Sequence, residues 1–459
     1  MKGRLSEFAM ALDARLIGRD ALFDGATIDT RRMTPGALFF ALVGDRSDGH
    51  AFVAQAGAQG AAAAVVDRPI DTALAQLVVD DVGQALQRAA RLARAGFAGP
   101  IAGVTGSNGK TTVKQMIAAI FSAAGPAMAT EGNLNNHLGV PLTLMRLDSS
   151  AERAVIEMGA NHPGEIGQLA AIARPDVGVI TNAGWAHLEG FGSREGIARA
   201  KGELFIRLPE NGTAVINADD DFAGLWRELA GARRVVTFAL DQPADVYARD
   251  IQIQSQGTRF VLHTPSETVA VSLDLAGRHN IANALAAAGV AVAVGLSAKT
   301  IAEGLSRMAA VAGRLAITPG IHGARVVDDS YNANPASLAA ALAWLGQQPG
   351  QRWAVLGDMG ELGDYTESAH HEAGIAARRA GIQRLFAVGE HSRLSVASFG
   401  EGAEWYADHD SLNGALENAL ANCHQEAIVL IKGSRSARMD RVAEAVRVTD
   451  QTQNASAPC

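Results

Sequence analysis

Positions 101–124 read as strand, glycine loop and helix. An apolar run at 101–104 precedes Gly106-Ser107-Asn108-Gly109-Lys110-Thr111-Thr112. Residues 110–124 then carry Val113, Met116, Ile117, Ile120 and Phe121 at the spacing of one helical face. Glycines let the backbone curl so that successive N–H groups point at one anion. The helix N-terminus behind them adds partial positive charge. Lys110 is placed to reach outer phosphates, and Thr111 to ligate magnesium. The general pattern GxxxxGK[ST] needs glycine at 104, where this chain has Val104; its first loop glycine is Gly106. Without its context the segment is a structural turn with an exposed lysine. The strand before it and the helix after it favour phosphate binding.

The surroundings extend that unit. Apolar runs at 154–156, 177–180 and 213–216 alternate with helical stretches, which predicts a largely parallel sheet covered on both faces. Helices are expected at 277–295 and 297–310. A second doubly wound unit begins near 312, with strands expected at 325–327, 353–356, 384–388 and 427–431 and helices at 337–346, 367–380 and 439–446. Residues 1 to about 95 predict a small mixed unit, with strands at 37–43, 61–66 and 76–79 and helices at 51–56 and 83–95. Gly99-Pro100 marks the break after it. The fold class is therefore α/β in three domains, 1–97, 98–311 and 312–448, with a polar tail at 449–459 expected to be disordered. The length of 459 residues agrees, at roughly 150 residues per domain.

Charge narrows the partners. Lys and Arg number 40 against 48 Asp and Glu, a formal net charge of −8, which argues against a broadly basic nucleic-acid binder. Local anion sites are untouched by that argument, because backbone N–H groups bind phosphate without net positive charge. The two cysteines, Cys423 and Cys459, allow no disulfide framework and no cysteine-based zinc site. No stretch has the roughly 18–20 uncharged apolar residues of a membrane span. The N-terminus lacks a signal-peptide core. A soluble cytoplasmic protein is expected.

Three polar residues sit at or beyond the ends of expected strands. Glu157 follows the run at 154–156, His187 lies in ITNAGWAHLEGFGS, and Lys201 lies in IARAKGELF. Ligands of doubly wound sheets bind outside the carboxyl ends of the strands. Glu157 can therefore face magnesium and phosphates, since magnesium takes few protein oxygens plus substrate phosphates. Histidine is a poorer ligand for a hard cation, and a lysine on a helix is most simply solvated. Spacing leaves these alternatives open.

The segments TGSNGKTT, EGNLNNHLGVP, EMGANHPGEI, ITNAGWAHLEGFGS, AKGELF, GRHNIANALAA, DDSYNANPAS, GDMGELG and IKGSRS occur in this order, after DTRRMTPGALFFALVGDRSDGHAFV. The series resembles the Mur ligase family of peptidoglycan precursor synthesis over about residues 25–440. GNLNNHLGVP and DDSYNANPAS resemble the members that add D-alanyl-D-alanine to UDP-N-acetylmuramoyl-tripeptide. The DYAHTP-like and DNPR-like segments usual in members that add the third amino acid are absent.

The resemblance implies a uridine-nucleotide domain, an ATP-binding domain, and a third domain that binds the amine and closes over ATP. It implies ATP and magnesium, with two ions, and an acyl-phosphate reaction by a monomer. It places Thr105, Gly106, Ser107, Asn108, Gly109, Lys110, Thr111 and Thr112 at ATP. It implies magnesium-site roles for Glu157 and His187, beside Thr111, and a carbamate on Lys201 that helps hold the second ion. Such a carbamate needs a neutral amine. Asn280 and Asn283 match positions near adenine and phosphates, though asparagine at a helix start is also a good cap. Arg314, Asp329, Tyr331 and Asn332 match positions near ribose and phosphates, where Asp329 could otherwise close a strand-end turn. Thr27, Asp29, Thr30 and Arg31 match the uridine-contact region; Thr30 stands where many relatives have serine. Asn133, Asn135 and Asn136 match residues near the muramoyl-peptide. Lys432, Gly433 and Ser434 match the dipeptide pocket. Competing expectations are another ligase of the superfamily, such as a folylpolyglutamate synthase, and a P-loop motor or switch protein.

Overall fold

The computed structural model describes residues 1–44, 47–147, 150–185, 188–254, 257–308 and 313–448. His187, the expected border at 311–312 and the tail from 449 lie outside the described residues.

The middle of the chain builds a nine-stranded sheet. Ile101–Thr105 lies inside it, flanked in parallel by Arg153–Glu157 and by Val177–Ile180. Every residue of Ile101–Thr105 is buried, as expected of a strand covered on both faces. Lys110–Ala124 packs one face, and its expected apolar stripe, Val113 to Phe121, is fully buried. Arg278–Ala293 covers the same side. Glu165–Ala173 and Arg194–Ile206 cover the other.

Beyond Arg234–Ala239 the sheet changes character. Val246–Gln254, Gly257–His263 and Thr268–Leu273 close it with antiparallel pairing. The expectation of βα alternation omitted these strands. A register shift between Arg249 and Gln252 breaks the alternation of the first of them; the other two pair without interruption. Asp250 sits there at φ 52°.

The C-terminal sheet has six strands, ordered Ala316–Pro319, Arg325–Asp329, Ala427–Lys432, Gln351–Gly357, Arg384–Val388 and Ala403–Tyr406. All neighbours are parallel except the first pair. The short strands Ala316–Pro319 and Ala403–Tyr406 were not expected from the sequence. The N-terminal sheet has five strands, with Leu38–Phe40 and Ala63–Val66 parallel in its middle.

Candidate active site

Strand order reverses at Ile101–Thr105, because the chain crosses to one neighbour and then the other. Such a switch point opens a crevice at the carboxyl ends of the strands. The glycine loop fills it. Gly106 has φ +148°, and a Cβ there would meet Thr181 Oγ1 at 1.8 Å. Gly109 has φ +79°, and a Cβ there would meet Asn283 Oδ1 at 2.4 Å. Both positions require glycine.

Two loop N–H groups are already engaged. Ser107 donates to the Asn182 carbonyl at 2.9 Å, and Asn108 donates to Asn182 Oδ1 at 3.0 Å. The groups left to meet an anion are therefore those of the first helical turn from Lys110, which have no intrahelical acceptor. The Lys110 ammonium folds back on the carbonyls of Gly106, at 2.7 Å, and Ser107, at 3.2 Å. Burial pushes its pKa down, opposed by Glu157 and reinforced by Arg314.

Glu157 ends its strand at 2% exposure. Its Oε1 accepts from Asn135 Nδ2 at 2.9 Å and from Thr111 Oγ1 at 3.3 Å. Its Oε2 is buried with no hydrogen-bond partner. A buried carboxylate oxygen without a donor, beside a threonine hydroxyl, fits a divalent cation with oxygen ligands. Among the described residues no three His, Cys, Asp or Glu side chains cluster in metal-binding reach. A cation here would depend on substrate phosphates, as magnesium usually does.

Lys201 is 1% exposed. Among the described residues it has neither a carboxylate nor a hydrogen-bond partner; its ammonium lies 5.8 Å from the centre of the Phe191 ring. Burial drives its pKa well below the ordinary value, and the charge of Lys110 lowers it further. The solvated-helix reading of this lysine is thereby overturned.

The opposite wall comes from the C-terminal sheet. Arg314 donates from its guanidinium to Thr111 Oγ1 at 3.3 Å, and it stacks 4.2 Å from the centre of the Tyr331 ring. The Arg314 Nε is buried without a partner. Asp329 and Lys432 end adjacent parallel strands and pair at 2.5 Å. Lys432 also donates to the Asn332 carbonyl at 3.0 Å. Asn334 donates to Asn108 Oδ1 at 2.7 Å, a second direct link between the two sheets' loops.

Together these walls enclose a cavity of about 820 Å³. Asn280 and Asn283 line it. Neither caps the helix, whose N-cap is Gly277; Asn280 instead donates to the Ala276 carbonyl at 2.9 Å. His279 lines it too and was not anticipated. Burial lowers its pKa, with Asp329 opposing and Lys432 reinforcing. Its position beside Asn280 was the available signal.

Other expected residues stand elsewhere. Thr27, Asp29, Thr30 and Arg31 are outside the cavity lining and form a local turn. Asp29 accepts from the Arg31 backbone at 3.0 Å and from its side chain, and this pairing lowers the Asp29 pKa. Asn133, Thr105 and Gly106 do not line the cavity either. Asn136 does, while its side chain accepts from the backbone N–H groups of Leu138 and Gly139 just ahead of Gly139–Leu144. Gly433 and Ser434 are packed away from the cavity. A Cβ on Gly433 would meet Met439 Cγ at 2.6 Å, and Ser434 donates its backbone N–H to Asp358.

Known proteins share this architecture. Residues 104–291 match the Mur ligase middle domain and residues 313–435 the Mur ligase glutamate ligase domain; residues 23–94 match the description "Mur ligase family, catalytic domain". The chain belongs to the Mur ligase family. It is 45% identical to the UDP-N-acetylmuramoyl-tripeptide--D-alanyl-D-alanine ligase of Escherichia coli K12, across 96% of this chain and 98% of that one. A MurF crystal structure from Acinetobacter baumannii superposes with TM-score 0.91 at 36% identity, covering 97% of this chain and 98% of that one. A Thermotoga maritima MurF ligase solved with ADP gives TM-score 0.81 at 28% identity, covering 92% and 96%. A Mycobacterium tuberculosis folylpolyglutamate synthase, at 17% identity and TM-score 0.65, shares the fold alone. Within the Mur ligase family, the glycine loop, Glu157 and Lys201 lie in the matched middle domain, and Arg314, Asp329 and Lys432 in the matched C-terminal one.

Proposed function

We infer that this protein joins D-alanyl-D-alanine to UDP-N-acetylmuramoyl-tripeptide at the expense of ATP, giving the UDP-N-acetylmuramoyl-pentapeptide precursor of peptidoglycan, ADP and phosphate. Its substrates are small molecules, and no described helix is long and apolar enough to cross a membrane. The observation that carries the reading is the convergence of the glycine loop, the Glu157 carboxylate and Arg314, Asp329 and Lys432 from the C-terminal part of the chain on one cavity.

A carboxylate is a poor electrophile, so the tripeptide carboxylate must first be activated. Its oxygen attacks the γ-phosphorus of ATP, the β,γ-bridging bond breaks, and ADP leaves. The free amine of D-alanyl-D-alanine then attacks the acyl carbon, loses a proton, and the C–O bond to phosphate breaks. Two anions meet in the first step, so positioning and charge dominate catalysis. Lys110 exchanges its carbonyl partners for phosphate oxygens. Arg314 supplies a second cation across the cleft, and its 3.3 Å contact with Thr111 links the C-terminal and middle parts of the chain. Magnesium, when bound, offsets phosphate charge; Thr111, Glu157 and His187 are the proposed holders, with carbamylated Lys201 at a second ion. Closure keeps water from the acyl phosphate. Asn135 and Asn136 face the muramoyl-peptide, the turn at Thr27, Asp29, Thr30 and Arg31 takes the uridine nucleotide, and Lys432 faces the amine subsite, with Gly433 and Ser434 packed behind it. The domains run 1–97, 98–311 and 312–448, in a cytoplasmic monomer.

A product panel tests this. Tripeptides ending in meso-diaminopimelate or lysine, each with several amines, should yield pentapeptide with D-alanyl-D-alanine. Glutamate addition to a folate instead would sink the assignment.

A further inference from the structure

Lys114 lies one helical turn beyond Lys110 and is fully buried. It stands within the apolar stripe of its helix, where a lysine is out of pattern. Its ammonium is 3.6 Å from the orphaned Glu157 Oε2 and donates to the Gly132 carbonyl at 3.3 Å. That is sparse compensation for a buried cation with three donors. Burial lowers its pKa, against the pull of the Glu157 carboxylate. Buried ion pairs seldom add stability over apolar residues of similar size, so stability is a poor account of this residue.

Its position offers a better one. Gly132 belongs to the segment 131–136, whose Asn135 holds the other oxygen of the same carboxylate. Both oxygens of Glu157 thus face groups tied to one loop. That loop reaches the N-terminal domain, because Glu131, which pairs with Arg146 of its own domain at 2.5 Å, also lies 3.6 Å from Arg32. Arg32 adjoins the turn at Thr30 and Arg31. A continuous chain of contacts therefore runs from Glu157 through Lys114, Gly132 and Glu131 to the first domain.

We propose that Lys114 is a positioning residue that ties the 131–136 loop to Glu157, so that a magnesium nucleotide at Glu157 strengthens binding of the uridine-nucleotide peptide. A cation taking Oε2 repels the ammonium, which then bears on Gly132 alone and sets the loop. The inference rests on the function proposed above. By linkage the coupling is reciprocal.

Equilibrium binding tests it on the full chain. The Kd of UDP-N-acetylmuramoyl-tripeptide is measured with and without magnesium and a non-hydrolysable ATP analogue. In the wild type the analogue tightens the peptide by about 5-fold or more, the lower range of such couplings. In Lys114→Met that ratio falls towards one, while the magnesium analogue alone binds no more weakly than to the wild type, because the ammonium that repelled its cation is gone. Glu131→Gln, on the surface, keeps the fold and lowers the ratio in part, so the chain of contacts remains testable if Lys114→Met fails to fold. An unchanged ratio in the folded variants overturns the proposal. So does equal loss of analogue binding, which would make Lys114 a support of the nucleotide site. A wild type that binds both ligands without coupling overturns the proposal alone; one that binds neither overturns the proposed function with it.

Discussion

Lys110 and Lys201 are both enclosed lysines, yet the structure gives them opposite surroundings. Lys110 has two carbonyl acceptors and a route to an anion. Lys110→Ala should lower kcat by about 10²–10³-fold, the range for removing one preorganised donor; steady-state assay with all three substrates checks it, and near-wild-type turnover would contradict it. Lys201 has no carboxylate or hydrogen-bond partner among the described residues, and burial holds its folded pKa well below the ordinary 10.5. The unfolded chain then holds the extra proton below that ordinary value, so the cost to the fold grows as pH drops from it towards the depressed folded value. Lys201→Met should therefore raise the melting midpoint, more at about pH 6 than at about pH 9 in bicarbonate-free buffer. Loss of stability at both values would contradict an unpaired amine. In ¹³C-bicarbonate the wild type should give a carbamate carbon signal that the variant lacks.

The elements explain what the sequence could and could not disclose. The loop at 106–112 was legible because its glycines answer to steric demands that nothing else meets. Gly106→Ala places a Cβ 1.8 Å from Thr181 Oγ1 at φ +148°, and Gly109→Ala meets Asn283 Oδ1 at 2.4 Å. Either should cost about 1–3 kcal/mol in backbone strain and abolish nucleotide binding, measurable by calorimetry with ADP. Tight ADP binding by either variant would mean the loop adapts. Lys110–Ala124 was legible to the residue because periodicity and loop agreed on its start. Val246–Gln254 was not, since the bulge at Arg249 to Gln252 interrupts its alternation; Gly257–His263 and Thr268–Leu273 pair in unbroken register and were overlooked. The site divides in the same way. Glu157 could be placed at a strand end from its sequence, but its orphaned oxygen depends on Asn135, Lys114 and Thr111 arriving from separate segments. The burial of Lys201 comes from how Arg194–Ile206 packs against the sheet, which spacing alone does not encode.

Across the whole molecule, the net charge of −8 contrasts with two polyanionic substrates. Under the proposed function their binding comes from local groups: first-turn N–H donors, Lys110, Arg314 and a cation that Glu157 would hold. Arg314 and Asn334 reach the glycine loop from the C-terminal sheet. The ring centres of Trp185 and Tyr365 lie 5.7 Å apart across the same boundary. Ligands that bridge the cleft should favour this closed arrangement, so ATP analogue plus the uridine substrate should reduce the radius of gyration in solution scattering. An unchanged radius would count against closure. Arg314→Ala should lower kcat by about 10²-fold or more with little change in the KM of the uridine substrate, because its contact lies on the phosphate side of the cleft. A rise in that KM alone would move Arg314 out of the phosphate site.

Activation of the tripeptide carboxylate by phosphoryl transfer can be read by oxygen tracing. With the terminal carboxylate of UDP-N-acetylmuramoyl-tripeptide labelled with ¹⁸O, ATP and D-alanyl-D-alanine should yield pentapeptide and inorganic phosphate carrying one ¹⁸O per turnover. Phosphate free of the label, with pentapeptide formed, would contradict an acyl-phosphate route.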